Sequence, residues 1–138
     1  MNSRKMMKNC KLRGEWAELQ FMAKAAKLGL GVSKPWGEVS RYDMIVEAEG
    51  HLLCVQIKST IFGREEGCYE CNVKPGSTSK PYQRGEFDFL AAYIITKDIW
   101  YIIPEKLVVH GTMGSIRLYP SIPTSKYAPY KEAWDLLR

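Results

Sequence analysis

Three polar side chains, Asp43, Gln56 and Lys58, fall on one face of a predicted β-hairpin that turns at Glu49-Gly50. In a symmetric hairpin about this turn, Asp43 lies directly opposite Gln56, with Cβ atoms about 4.5–5.5 Å apart. Lys58 follows two residues after Gln56 and points to the same face. Carboxylate and amide oxygens bind hard cations such as Mg²⁺, and an amine can hold a proton or stabilise negative charge. The same three groups would also suit a solvated strand face with an ordinary ion pair.

The other face of this hairpin is apolar and specifies which residues pair. The two predicted strands run from Arg41 to Ala48 and from His51 to Ser59. Their second face carries only apolar side chains, namely Tyr42, Met44, Val46, Leu53, Val55 and Ile57. A shift of the pairing by one residue would expose this set and bury the polar trio, so the pattern specifies the register strongly.

A helix is predicted from Lys11 to Leu28, where Gly29 and Gly31 end it. One apolar stripe at helical spacing contains Leu12, Trp16, Leu19, Ala23 and Ala26, and a second contains Phe21, Ala25 and Leu28. We therefore expect other elements to cover this helix on more than one side, which makes its carboxylates Glu15 and Glu18 unusual.

The remaining segments predict further strands and a closing helix. A basic surface loop is predicted at 77–85 and a second hairpin at 87–104. A short strand is predicted at 115–119 and a terminal helix at 129–137. The second hairpin turns at Thr96-Lys97-Asp98. A helix, then several strands, then a helix indicates an α/β or α+β fold, with a mixed β-sheet flanked by helices.

Composition indicates a single soluble domain. The chain has 138 residues and a net charge of +5, which suits a polyanionic partner but does not require one. No apolar stretch approaches the roughly 18 residues of a membrane span, and the basic N-terminus lacks an apolar signal core. We expect one domain over residues 1–138 in the cytoplasm, with residues 1–10 as a flexible basic arm.

Four cysteines are expected to be reduced thiols. Cys68 and Cys71 form a lone C-x-x-C in a strand-like, alternating stretch. A zinc site would need a second pair of ligands at suitable spacing, and neither His51 nor His110 supplies one. Metal or redox chemistry at these thiols is therefore the less favoured interpretation.

The hairpin also resembles a known family. The segment 41–47, RYDMIVE, followed by VQIKS at 55–59, is similar to the PD-(D/E)xK nuclease superfamily, and most to a small endonuclease group that writes its last motif Q-x-K and includes a bacterial intron-encoded homing endonuclease. GEWAEL at 14–19, FDFLAAY at 87–93, WYIIP at 100–104 and EAW at 132–134 extend the likeness over nearly the whole chain. Two residues depart from the superfamily pattern: Tyr42 stands at the Pro position, and Gln56 replaces Asp or Glu.

The resemblance implies a restriction-endonuclease-like core of α-β-β-β-α-β type order that hydrolyses DNA with Mg²⁺, with Mn²⁺ as a substitute. Asp43, Gln56 and the Ile57 carbonyl would then be metal ligands, and Lys58 would position or deprotonate the attacking water or stabilise the transition state. Gln56 offers an oxygen without charge, so we expect weaker metal binding than with a carboxylate.

On the helix, the family motif selects Glu18, four residues after Gly14, as the further carboxylate that holds a second metal or its water. The alternative is Glu15. Helical projection places Glu15 within the first apolar stripe, whereas it places Glu18 only at the edge of that stripe. Glu15 also suits a structural role near the helix N-terminus. The motif, and not the periodicity, favours Glu18.

Basic residues are candidates for DNA contact through phosphate attraction. The favoured residues are Lys74, Lys80 and Arg84 of the basic loop region, together with Arg4, Lys5, Lys8, Lys11 and Arg13 of the N-terminal region. A solvated basic tail is an equally good account of the N-terminal set. Cutting both strands of a duplex needs two active sites, so a homodimer or homotetramer is expected. The alternative functions are a non-catalytic nucleic-acid-binding module on a decayed nuclease fold and an oligomeric structural protein with an incidental ion pair.

Overall fold

The computed structural model describes residues 8–37, 39–61, 63, 65–74, 80, 82–109 and 114–138. One long helix precedes the sheet, and short 3₁₀ turns follow strands β5 and β6 and occupy the C-terminal segment. The main elements are α1 (Cys10–Lys27), β1 (Gly31–Ser33), β2 (Met44–Ala48), β3 (His51–Thr60), β4 (Tyr69–Asn72), β5 (Phe89–Ile94), β6 (Ile99–Pro104) and β7 (Ser115–Leu118).

The strands form a mixed five-stranded sheet and a separate two-stranded sheet. The large sheet has the order β1-β2-β3-β5-β6, and β4 pairs with β7. Only β3 and β5 run parallel in the large sheet, while its other neighbours are antiparallel. The predicted mixed sheet is therefore confirmed. Between β3 and β5, where the predicted order placed a second helix, the described residues contain strand β4.

The register of the first hairpin agrees with the sequence prediction. Ala48 pairs with His51, and the pairing continues to Met44 and Val55. The predicted pair of Asp43 with Gln56 is not part of this ladder, because β2 begins at Met44 and not at Arg41. The backbone at the turn has φ of 50° at Glu49 and 81° at Gly50. Two successive residues with positive φ are typical of the type I′ turn, whose twist matches that of antiparallel strands.

Apolar clusters cover both faces of the large sheet. On the α1 side, Met44, Val46, Val55 and Ile57 pack in one cluster with the helix. The other cluster joins β5 and β6 to the β4–β7 sheet. Gln56 is only 7% exposed. The burial of Gln56 does not agree with the alternative interpretation, in which the polar residues lie on a simple solvated strand face.

Tyr42 differs from its prediction. It packs against the cluster on the β4–β7 side and not with Met44 and Val46. The regular alternation of side chains holds only within a strand, and β2 begins at Met44. Tyr42 lies before that point, so its side chain does not follow the parity of the strand.

The buried face of α1 is the second predicted stripe, and the first predicted stripe is largely exposed. Phe21 and Ala25 are fully buried, whereas Leu19 is 57% exposed and Ala23 is also exposed. The Phe21 ring lies 5.6 Å from that of Trp100 and 5.3 Å from that of Trp134. Both stripes have helical spacing, and contacts with the sheet select the one that is buried.

The predicted terminal helix at 129–137 is wrong. Two 3₁₀ turns, Ala128–Tyr130 and Trp134–Leu137, occupy this region. Between them Lys131 bridges to Tyr101, and Glu132 has φ of 52°. The Glu132 N–H donates to the Trp100 carbonyl over 2.7 Å, and its carboxylate accepts from the Trp100 N–H and the Trp134 indole. The segment therefore satisfies backbone groups of edge strand β6, which a helix would leave unpaired.

Several predicted features fall partly outside the described residues. The predicted arm includes residues 1–7, and the predicted loop at 77–85 includes 77–79 and 81, which lie outside the described residues.

Cys68 and Cys71 are buried, and burial raises the pKa of the Cys71 thiol to about 12. Burial of both thiols favours reduced structural cysteines over metal or redox chemistry. No helix in the described part of the chain is long and apolar enough to cross a bilayer.

Paired substitutions on α1 test which of its faces is buried. Phe21→Ala is expected to lower the free energy of unfolding by about 3–5 kcal/mol, because a large buried ring is lost. Leu19→Ala is expected to change it by less than about 0.5 kcal/mol, since the side chain is exposed and alanine favours helix. Urea denaturation measures both values. A larger loss for the Leu19 variant would contradict the observed packing.

Candidate active site

The predicted polar residues meet where β2 separates from β3. The ladder between these strands ends at the Met44–Val55 pair. Asp43 immediately precedes Met44, and its N–H still donates to the Val55 carbonyl over 2.9 Å. Beyond that point the Ile57 N–H has no partner on β2. It donates instead to the Asp43 carboxylate over 2.8 Å, which holds the carboxylate against β3.

Strand β3 supplies an amide, a backbone carbonyl and an amine. Backbone groups of Val55 and Ile57 point toward β2, as their bonds to Asp43 show. The N–H and C=O of one strand residue point the same way, so the Ile57 carbonyl faces the edge that holds Asp43. Gln56 and Lys58, which alternate with Val55 and Ile57 along β3, line the same cleft.

Helix α1 brings Glu18 to this cleft from the other side. A cavity of about 330 Å³ is lined by Glu18, Asp43, Gln56, Ile57 and Lys58. Glu18 follows fully buried Ala17 in sequence and so lies at the border of the buried helix face. The structure thus brings together every residue predicted as catalytic or metal-binding.

Glu15 is placed differently. It is exposed and does not line the cleft, contrary to the helical projection that put it within a buried stripe. The projection failed because it used the stripe that faces solvent. Of the two helix carboxylates, only Glu18 is positioned to act with Asp43.

Burial raises the pKa of both carboxyls in the cleft, and the charge of Asp43 raises that of Glu18 further. The pKa of Glu18 is raised first by burial and then by the negative charge of Asp43, and Lys34 partly offsets this. The Lys34 ammonium lies 3.6 Å from the Glu18 carboxylate. Burial also raises the pKa of Asp43, against the Ile57 N–H and the charge of Lys58. Two partly desolvated carboxylates that repel each other form a site in which a cation would be stabilised.

The amine of Lys58 is bound to backbone and not to a carboxylate. Its Nζ donates to the Lys74 carbonyl over 2.7 Å and lies 5.8 Å from the centre of the Tyr82 ring. Within the described residues it forms no salt bridge with Asp43. Burial lowers the pKa of Lys58, and the nearby Asp43 charge opposes that shift. The incidental ion pair of the alternative interpretation is therefore not formed.

The donor set of the cleft suits a hard divalent cation. Carboxylates of Asp43 and Glu18, the amide oxygen of Gln56 and the carbonyl of Ile57 are all oxygen donors. In the described ranges no three His, Cys, Asp or Glu side chains form a cluster. Of the four donors named, only the carboxylates of Asp43 and Glu18 carry a negative charge, and Mg²⁺ commonly binds one or two carboxylates and keeps several waters.

The predicted DNA-contacting residues are only partly grouped. Arg13 lines the cleft and also a neighbouring groove of about 720 Å³, which Lys74 lines too. Lys11 and Lys80 are exposed. Arg84 is exposed but lies 3.0 Å from the Glu105 carboxylate, which offsets its charge. Arg4 and Lys5 lie outside the described residues.

Residues that sequence reasoning missed come from segments distant in the chain. Lys34 reaches Glu18, Asn72 lines the cleft, and Tyr82 lies under the Lys58 amine. None belongs to a periodic pattern or to the motifs quoted above. The pairing of β4 brings Asn72 to the site, the β1–β2 connection brings Lys34, and the segment that precedes β5 brings Tyr82.

The chain belongs to the PD-(D/E)XK endonuclease family. The family model, described as PD-(D/E)XK endonuclease, matches residues 8–137. The fold is restriction-endonuclease-like. No curated protein sequence matches the chain.

A solved structure gives an independent match. The chain is similar to the bacterial homing endonuclease I-Ssp6803I, with a TM-score of 0.77 and 29% sequence identity. The match covers 94% of this chain and 91% of the other. The similarity therefore extends over almost the full length of both proteins, and supports a nuclease.

The raised carboxyl pKa values predict that Asp43→Asn stabilises the protein. Because the pKa of Asp43 is higher in the folded state than its ordinary value of 3.8, the folded protein binds the proton more tightly than the unfolded chain. The free energy of unfolding therefore falls as the pH rises from 3.8 through the folded-state pKa. Asparagine can still accept from the Ile57 N–H but carries no charge. At pH 7 we expect the melting temperature to rise by about 2–4 °C.

Below pH 3.8 the advantage of Asp43→Asn should disappear, because the wild-type carboxyl is then protonated in both states. Calorimetry across this pH range, without divalent cations, measures the difference. Glu15→Gln is the matched control, since that carboxylate is exposed, and should leave the melting temperature unchanged. A destabilised Asp43→Asn variant at pH 7 would contradict the electrostatic account.

Proposed function

We propose that this protein is a divalent-metal-dependent DNA endonuclease that hydrolyses phosphodiester bonds. The observation that supports this most is the joining of Asp43, Gln56 and Lys58 with Glu18 in one cleft. Membership of an endonuclease family implies DNA as the substrate, and the net charge of +5 suits it. The similarity to a homing endonuclease favours the same substrate.

Nucleases of this family generally use divalent metal ions. We assign Mg²⁺, with Mn²⁺ as a substitute, to the oxygens of Asp43, Glu18, Gln56 and the Ile57 carbonyl. The ion would activate water and neutralise charge on the scissile phosphate. The Ile57 N–H keeps the Asp43 carboxylate turned toward this set, so little reorganisation is needed on binding.

Lys58 either stabilises the negative charge of the transition state or accepts the proton of the attacking water. Water adds to phosphorus and loses a proton, while the departing sugar oxygen gains one. An ammonium group at Lys58 would stabilise the additional charge of the transition state, and a neutral amine would accept the proton of the water. Partial burial bears on both roles: charge interactions are stronger where solvent is excluded, and burial lowers the pKa of Lys58, which favours the neutral amine.

The groove beside the cleft is the proposed path of the DNA backbone. It shares Arg13, Ser59 and Asn72 with the cleft and adds Lys74. Lys11 and Lys80 extend the positive charge, whereas Arg84 contributes less because Glu105 lies beside it. Cleavage of both strands of a duplex requires two such clefts, so we propose a homodimer or homotetramer.

A non-catalytic nucleic-acid-binding module is the second candidate. It is favoured by one observation, the uncharged Gln56 at a position where the superfamily pattern has Asp or Glu. The carboxylates of Asp43 and Glu18 weigh against it. Binding a polyanion does not need two negative side chains in the binding cleft.

Cleavage of supercoiled plasmid with Mg²⁺ or Mn²⁺ tests the proposed activity. Asp43→Ala and Lys58→Met are each expected to lower the rate by roughly 10²- to 10³-fold. Lys58→Arg should keep part of the activity if the charge matters, and none if a neutral amine is needed. Glu15→Gln is the control. Salt-sensitive DNA binding by the wild type without cleavage would favour the binding module.

Gln56→Glu should strengthen cation binding. The variant adds a charged oxygen donor, so half-maximal activity is expected at a several-fold lower Mg²⁺ concentration. Without divalent cations its melting temperature should fall, because a third carboxylate joins two that already repel each other. Thermal unfolding with and without Mg²⁺ measures this change. An equal effect of Mg²⁺ on variant and wild type would argue against Gln56 as a ligand.

A further inference from the structure

The position of the Lys58 amine is set by a backbone carbonyl of a distant segment. Its Nζ donates to the Lys74 carbonyl over 2.7 Å. Lys74 lies two residues beyond the end of β4, which belongs to the two-stranded sheet, whereas Lys58 lies in β3 of the large sheet. The active-site amine therefore links the two sheets, and its position depends on how the segment 72–74 is held.

Asn72 holds the backbone that presents this carbonyl. Its side-chain oxygen accepts from the Lys74 N–H over 2.7 Å. This bond from an Asn side chain to the backbone two residues later sets a local turn. On the other side, Asn72 pairs with Ser115 of β7, and the Val73 N–H donates to the Gly114 carbonyl over 3.1 Å. Residues 72–74 are thus fixed by β7 and by the Asn72 side chain.

Lys58 is bound to the Lys74 carbonyl and, within the described residues, forms no salt bridge with Asp43. The charge of Asp43 attracts the Lys58 ammonium and opposes the lowering of its pKa. A lysine on a flexible stem would pair with that carboxylate if no other acceptor held it. Such a pair would occupy an oxygen of Asp43 and neutralise the charge that a cation needs. The Lys74 carbonyl offers the alternative acceptor.

We propose that Asn72 is a positioning residue that acts through the Lys74 carbonyl to hold Lys58 away from Asp43. The effect on catalysis rests on the proposed nuclease function, whereas the effect on the position of Lys58 does not. Asn72 also lines the cleft, so a direct contact of its amide N–H₂ with a phosphate is the competing role.

Two substitutions at Asn72 separate these roles. Asn72→Ala removes the acceptor for the Lys74 N–H and should lower kcat about tenfold or more with little change in KM. Asn72→Asp keeps a side-chain oxygen at that position and should restore most of kcat. A direct phosphate contact predicts the reverse, because a carboxylate repels the phosphate and would raise KM more than alanine does. That result, or an unchanged kcat for Asn72→Ala, would overturn the proposal.

A measurement that needs no activity follows the Lys58 ammonium directly. Proton–nitrogen correlation spectra at mildly acidic pH and low temperature detect lysine ammonium groups that hydrogen bonds protect from exchange with water. The Lys58 signal is assigned by its absence from Lys58→Arg. We expect it in the wild type and in Asn72→Asp, and its loss or displacement in Asn72→Ala. An unchanged signal in Asn72→Ala would overturn the proposal even if the wild type does not cut DNA.

Discussion

The hydrogen bond between the Ile57 N–H and the Asp43 carboxylate is the interaction on which the rest of the site depends. Strands β2 and β3 stop pairing at Met44 and Val55, which leaves backbone groups of β3 without a strand partner. Asp43 satisfies one of them with its side chain. The same separation opens the cleft and leaves the Ile57 carbonyl facing it. The end of a β-ladder thus creates both the cavity and the orientation of its principal carboxylate.

Apolar clusters cover both faces of the large sheet, and this burial changes the pKa of the polar side chains in the cleft. The cluster around α1 and the cluster under the β4–β7 sheet exclude solvent from the middle of strand β3, where Val55, Gln56 and Ile57 are buried. Burial raises the pKa of the carboxyls of Glu18 and Asp43 and lowers that of the Lys58 amine. These shifts weaken the folded state without a cation, and they also favour cation binding and charge stabilisation. Stability and proposed activity therefore oppose each other at the same side chains.

The sequence predicted the first hairpin and its register, because both strands are adjacent in the chain and one face is wholly apolar. It also predicted Asp43, Gln56 and Lys58 as neighbours, although Asp43 precedes β2 and is held beside β3 by the Ile57 N–H and not by the strand pairing. The closing helix was predicted wrongly, since Glu132 and Lys131 serve the unpaired edge of β6. Local propensity cannot detect an edge strand that another segment must cover. The roles of the cleft residues, by contrast, came from the family motif and not from periodicity.

The amino-acid pattern alone therefore settles what depends on neighbours in the chain: the turn at Glu49-Gly50, the pairing of β2 with β3 and the extent of α1. Three-dimensional packing settles what depends on distant segments. It selects the buried face of α1 from two stripes of equal spacing, and it brings Glu18 and not Glu15 to Asp43. It also places the Lys74 carbonyl on Lys58, through pairing of β4 with β7. Side-chain periodicity carries the first kind of information, whereas contacts between remote residues leave no periodic trace in a single sequence.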